Sequence, residues 1–215
     1  MKERAITFTG DMVRATLEDL KTQTRFAVKQ VAGYGNVREF QRSETPGYDY
    51  TFRCRRGLWQ DFREVTFLKR CPFGSPGDRL YVRETWGINP DEGGVVYRAT
   101  DPDWADDEGW KWRSPAIMPR QASRLVLEIV SVRVERLQSI SEADAIAEGA
   151  RRTRLPLATV DGCDVWHWGD YPTGTVSATA IDAFAAWCKQ NKRRVGDWEE
   201  NQCQWVIGYR RIANA

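Results

Sequence analysis

Histidine is nearly absent from this chain: His167 is the only one in 215 residues. A Ser-His-Asp or Cys-His relay has to pass through that residue, and a metal site built on two histidines is excluded. His167 lies in Trp166-His167-Trp168, a loop-like stretch after Gly162, and reads as a partly packed loop residue. The five cysteines (54, 71, 163, 188 and 203) form no C-x-x-C pair, and their odd number argues against a disulfide framework. Free thiols fit a reducing cytoplasm. No run approaches the ~20 apolar residues of a membrane span. Met1-Lys2-Glu3-Arg4 leads straight into a strand-like run, so no signal peptide is expected and the cytoplasm is the expected location. The phosphate loop G-x-x-x-x-G-K-[ST] and the dinucleotide turn G-x-G-x-x-G are both missing, which leaves nucleotide-triphosphate hydrolysis and hydride transfer without support. A net charge of +2 gives no field of the strength that a long nucleic-acid groove needs.

Tryptophan, by contrast, is in surplus. Ten are present, each a large flat side chain with one N–H that packs cores and strand faces and also walls ligand sites. With 41% hydrophobic and 29% charged residues the balance is that of a folded globular chain. Charge is locally uneven. Residues 32–70 carry eight basic and five acidic side chains, whereas 91–109 carry seven acidic ones and only Arg98. Two solvated loops of opposite sign account for that.

Residues 4–9 alternate polar and apolar and predict a first strand. Gly10-Asp11 opens a short helix to about Leu20 with Met12, Val13, Leu17 and Leu20 as its apolar stripe. Phe26, Val28 and Val31 continue as a second strand, so Lys21-Thr22-Gln23-Thr24-Arg25 sits where a helix hands over to a strand. Residues 32–70, with Gly33, Gly35, Pro46 and Gly47, read as an insertion containing a hairpin near 50–67. A turn cluster at 72–78 feeds a strand over 79–86, and Val95-Val96-Tyr97 is a further short one. Residues 123–137 predict a long strand with a bulge. Ser141-Glu142-Ala143-Asp144 is a helix start of the [ST]-x-x-[DE] type, stopping at Gly149. Residues 150–175 read as irregular, 178–191 as an amphipathic helix, and 205–209 as a closing strand. The expected class is α+β: a small mixed β-barrel with flanking short helices, in one domain with insertions at about 32–70 and 150–175.

Helix, Lys21-Thr22-Gln23-Thr24-Arg25, strand, and then Pro76-Gly77-Asp78-Arg79-Leu80-Tyr81-Val82 together resemble the ASCH domain, which has a PUA-like barrel fold. Val82-Arg83-Glu84-Thr85-Trp86, Met118-Pro119-Arg120, residues 131–148, Trp205-Val206-Ile207 and Arg210-Arg211 are similar to the larger ASCH proteins common in phage and prophage genomes. Some small bacterial members are amidohydrolases that deacetylate N4-acetylcytidine with a lysine, a threonine three residues later and a glutamate in the helix after the long strand. Lys21, Thr24 and Glu148 occupy matching positions. Leu20 stands where a glycine usually precedes the lysine, and Phe26 where an arginine is frequent, leaving Arg25 as the nearby guanidinium.

The resemblance therefore implies an amidohydrolase acting on N4-acylated cytosine nucleosides, with Lys21, Thr24 and Glu148 catalytic. Arg25, Arg83, Glu84 and Trp86 are the candidate substrate-binding residues, with Trp86 stacking on the base. Such chemistry needs a nucleophile, a base and a proton donor, and no metal or cofactor. A lysine near its ordinary pKa of about 10.4 is no base, but burial lowers it. A neutral Lys21 then takes the Thr24 proton, and Glu148 orients Lys21 or protonates the leaving amine. The expected partner is a small nucleoside or modified base, bound by a monomer away from any membrane. The alternatives are a non-catalytic PUA-like module for RNA or a modified base, and an ASCH-type ribonuclease.

Overall fold

The computed structural model describes residues 1–215 except 90, 92, 106–110, 161–162, 170–175 and 213–215; for 153–160, 163–169 and 176 it describes the backbone alone. Strand β1 (Glu3–Thr7) leads into helix α1 (Gly10–Leu17), whose Met12, Val13, Ala15 and Thr16 are buried. Asp19 adopts a left-handed backbone (φ 57°) in the turn after the helix, and strand β2 (Gln23–Ala27) follows. β3 (Gln30–Val31), β4 (Gly35–Arg42), β5 (Tyr50–Cys54) and β6 (Trp59–Phe62) form an antiparallel four-stranded sheet, after which comes α2 (Glu64–Leu68). The hairpin expected near 50–67 is thus β5–β6 with a helical turn behind it.

β7 (Arg79–Arg83) stops before Glu84, and β8 (Trp86–Ile88) pairs with β9 (Val95–Tyr97) in a separate ribbon. The single strand expected over 79–86 is therefore two strands in two sheets. β10 (Val126–Arg136) carries the expected bulge: its register against the closing strand shifts between Ile129 and Ser131, leaving Val130 exposed. Ser141 caps α3 (Glu142–Ala147), its Oγ accepting the Asp144 N–H at 3.1 Å. Gly149, at φ 106°, follows the helix. β11 (Arg151–Val160), β12 (Cys163–Gly169) and β13 (Val176–Ser177) make an antiparallel sheet in the segment expected to be irregular. Pro156 falls where the β11–β12 register shifts, between Arg154 and Thr159, and strand pairing continues on both sides of that break. His167 consequently belongs to a strand and not a loop; its side chain lies outside the described residues. α4 (Ala180–Gln190), α5 (Lys192–Val195) and β14 (Cys203–Ile212) complete the chain.

The main sheet has the order β1-β7-β10-β14-β2, with β1 and β7 parallel and the other neighbours antiparallel. β1 and β2 are its edges, so among the described residues the strands form an open sheet where a closed barrel was expected. The class is α+β. Ile6, Leu80, Leu127, Ile129, Trp205 and Ile207 are buried in its core, each contributing roughly 1.5–3 kcal/mol. Trp205 on β14 stacks on Phe67 of α2 with centroids 4.8 Å apart, and Phe67 also packs on Tyr50 and Phe52. One hydrophobic cluster thereby runs from the main sheet into the 32–70 segment. Among the described residues no helix is long and apolar enough to cross a membrane.

Candidate active site

The handover from α1 to β2 is pinned at three points. The Leu20 and Lys21 N–H groups donate to the Ala15 carbonyl, the Thr22 N–H donates to Ala147 at the end of α3, and the Thr22 carbonyl accepts from Tyr209 on β14. This brings the Lys21 side chain under the C-terminal end of α3, among Met12, Ala145, Phe184 and Trp187. Lys21 Nζ donates to Glu148 Oε2 at 2.7 Å and to the Glu148 carbonyl at 2.8 Å. Both side chains are almost fully buried, at 1% and 4% exposure. Burial pushes the Lys21 amine down to about 8, against the pull of Glu148, and the nearby Arg194 and Arg25 charges add to the depression.

Strand alternation divides the next residues between two faces. On one, Arg25 is fully buried and reaches Glu135 at 2.9 Å and Asp144 at 3.2 Å, with Glu148 Oε1 at 3.6 Å from its Nε. Arg133 closes the network onto Glu135 and Asp144. Three cations thus face three carboxylates. On the other face Thr24 is fully buried, and its Oγ1 accepts from Arg194 Nη2 at 2.7 Å. Arg194 Nη1 donates to the Thr7 carbonyl at 2.9 Å, and its guanidinium lies 4.1 Å from the Phe26 ring centroid. Burial lowers Arg194 to about 10.

Arg194 also lines a cleft of about 980 Å³ over the end of β1, together with Phe26, Phe73, Arg83 and Glu84. Lys21, Thr24 and Glu148 do not line it. The structure therefore brings Lys21 to Glu148 and Thr24 to Arg194, but Lys21 and Thr24 do not hydrogen-bond each other. Of the four candidate binding residues, two face the cleft. Arg83 donates to the Ala116 carbonyl at 3.1 Å, and Glu84 is clamped by Arg124 at 2.9 and 3.0 Å, burial still raising its pKa. The other two do not. Arg25 is consumed by carboxylates on the opposite face of β2. Trp86 is buried against Met118, Ala122 and Tyr97 under the Arg113 guanidinium, and the aromatic surfaces in the cleft are Phe8, Phe26, Phe73 and Trp205 instead.

Arg194 is the residue the sequence reading missed. Its signal was indirect: a guanidinium is frequent at position 26 in the resembled family, and here Arg194 lays one on the Phe26 ring. Among the described residues no group of three or more His, Cys, Asp or Glu is placed to hold a metal ion. Comparison with family models, with curated proteins and with solved structures gives no match to this chain.

Proposed function

We propose that the chain is an amidohydrolase that removes the acyl group from N4-acylated cytosine nucleosides, as its ASCH-like motifs imply, on a fold related to the PUA-like kind. The observation that carries this reading is the buried Lys21–Glu148 pair with its depressed lysine. A neutral amine has two N–H donors and one lone pair. Glu148 accepts both donors, through Oε2 and its carbonyl, which leaves the lone pair to take the Thr24 proton. Thr24 Oγ1 then attacks the acyl carbon, and the C–N bond breaks as N4 departs with the proton that Lys21 had accepted. Water, deprotonated by the same amine, hydrolyses the acyl-threonine and releases the carboxylic acid. Thr24 is buried, and its Oγ1 is held by Arg194 and makes no hydrogen bond to Lys21. This chemistry therefore requires two movements: the guanidinium swings from Thr24 Oγ1 onto the entering acyl oxygen, where it stabilises the oxyanion, and the Lys21 amine closes to hydrogen-bond reach of Thr24 Oγ1.

The same burial of Thr24 favours one rival: a non-catalytic module that binds a modified base or RNA in the cleft, with Lys21, Glu148 and Arg25 as a structural ion network. Incubating the purified chain with N4-acetylcytidine and following the ultraviolet spectrum separates the two. Conversion to cytidine supports the hydrolase; a spectrum that never changes at any pH, with saturable binding, supports the module.

A further inference from the structure

Six cations line the cleft: Arg14, Lys29, Arg83, Arg98, Arg193 and Arg194. Among the described residues the only carboxylate in its lining is Glu84, which Arg124 already neutralises. The whole chain is nearly balanced at +2, so this excess is local and is not a by-product of composition. The cations fall into two groups. Lys29 Nζ donates to the Arg193 carbonyl at 3.2 Å, next to Arg194. Arg14 is ion-paired with Asp11 and donates to the Ala99 carbonyl at 2.9 Å, and the Arg98 N–H bonds the Thr85 carbonyl beside Arg83, so the uncompensated charge of this group comes from Arg83 and Arg98. β1 runs between the groups: Thr7 is in register with Arg83, while its carbonyl accepts from Arg194. The Arg98 and Arg193 guanidinia are exposed and make no ion pair among the described residues.

Aromatic surface lies along the same floor, where Phe26 and Phe73 stack with centroids 4.2 Å apart. A cleft of about 980 Å³ stands at the upper end of small-molecule sites, roughly 300–1,000 Å³, and is more than one nucleoside fills. Phe26 is covered by Phe73 and by the Arg194 guanidinium, so the half-buried Phe73 is the ring of this pair that suits a flat base, and separated guanidinia suit phosphate oxygens. We infer that this cleft binds a nucleotide flanked by phosphate on both its 3′ and 5′ sides, a unit of single strand in place of a free nucleoside. The inference rests on the proposed function only in taking cytosine as the base.

Calorimetric titration of the full chain with unacylated probes tests this without requiring turnover. The probes are cytidine, cytidine 5′-phosphate, cytidine 3′,5′-bisphosphate, a short oligocytidylate and inorganic pyrophosphate. Each added phosphate is expected to tighten binding ~10-fold or more, with the oligonucleotide at least as tight as the bisphosphate and pyrophosphate weaker than either. Arg98→Gln and Arg193→Gln, both at exposed positions and expected to keep the wild-type melting temperature, are each expected to weaken the bisphosphate by about 10-fold while changing cytidine far less. Equal affinity for cytidine and the bisphosphate would overturn the inference. So would a 5′-phosphate that binds as tightly as the bisphosphate, a pyrophosphate that matches it, or arginine variants of unchanged affinity. Hydrolysis of N4-acetylcytidine with no phosphate preference sinks this inference alone, whereas phosphate-dependent binding without any hydrolysis sinks the proposed function alone.

Discussion

Lys21 is a charged group that the fold has moved out of water and matched with one carboxylate. The folded amine titrates near 8 and the unfolded one near its ordinary 10.5, so between these values the unfolded chain binds more protons. Stability from this residue therefore rises with pH across that window and is lowest below it, where the buried amine must stay charged. A denaturation midpoint measured from pH 7 to pH 10 is expected to include this rise in the wild type and to lack it in Lys21→Met. The hydroxyl of Thr24 makes a separate prediction. If it is the nucleophile, Thr24→Ala lowers hydrolysis by about 100-fold or more, and Thr24→Ser retains more activity than Thr24→Ala. A Thr24→Ala variant of near-normal rate would assign the attack to water with Lys21 as its base. Arg194 enters both arguments: its charge lowers Lys21, so Arg194→Ala moves the pH midpoint of the rate upward. A purely structural arginine would lower the rate without moving that midpoint.

Elements position these side chains through local rules that are testable one at a time. Ser141 starts the helix that carries Asp144 and Glu148, and Ser141→Ala should cost about 1 kcal/mol, read as a shift in the denaturation midpoint. At the β10 bulge, Gly208 stands so close to Ser131 Oγ that a Cβ there would collide with it. Gly208→Ala should therefore destabilise by roughly 1–3 kcal/mol, and Ser131→Ala in the same chain should restore part of the loss; simple additivity of the two would remove the clash as the cause. The cap, the bulge and the Lys21 handover were legible in the sequence because each is a short-range pattern. The break at Glu84 was not, since Val82, Glu84 and Trp86 keep the alternation of a strand although the chain changes sheets. Arg194 was not legible either. Lys192-Arg193-Arg194 on a four-residue helix looks like a solvated charge run, and only the packing of α5 against β2 turns one of the three inward. Arg25 and Trp86, expected to face a substrate, lie away from the cleft for a related reason: alternation gives a face, but not what covers it.

At the scale of the molecule, the stack of Phe67 on Trp205 ties the β3–β6 sheet to the main one. Phe67→Ala, at a fully buried site, should cost about 3–5 kcal/mol and lower a single unfolding transition; a separate early transition confined to residues 30–70 would show that the two sheets fold independently. The candidate site depends on the same long-range assembly, because Lys21 and Glu148 stand 127 residues apart in the chain and meet only when α1, β2 and α3 are all in place. The central claim, that this buried pair works as a base, is tested most directly by the pH profile of N4-acetylcytidine hydrolysis in the wild type and in Lys21→Met. The account predicts a wild-type rate that rises about tenfold per pH unit below a midpoint near pH 8 and levels off above it, with Lys21→Met slower by about 100-fold and without that midpoint. A Lys21→Met rate near that of the wild type, an active enzyme whose rate is flat across that range, or no cytidine formed at any pH would contradict it.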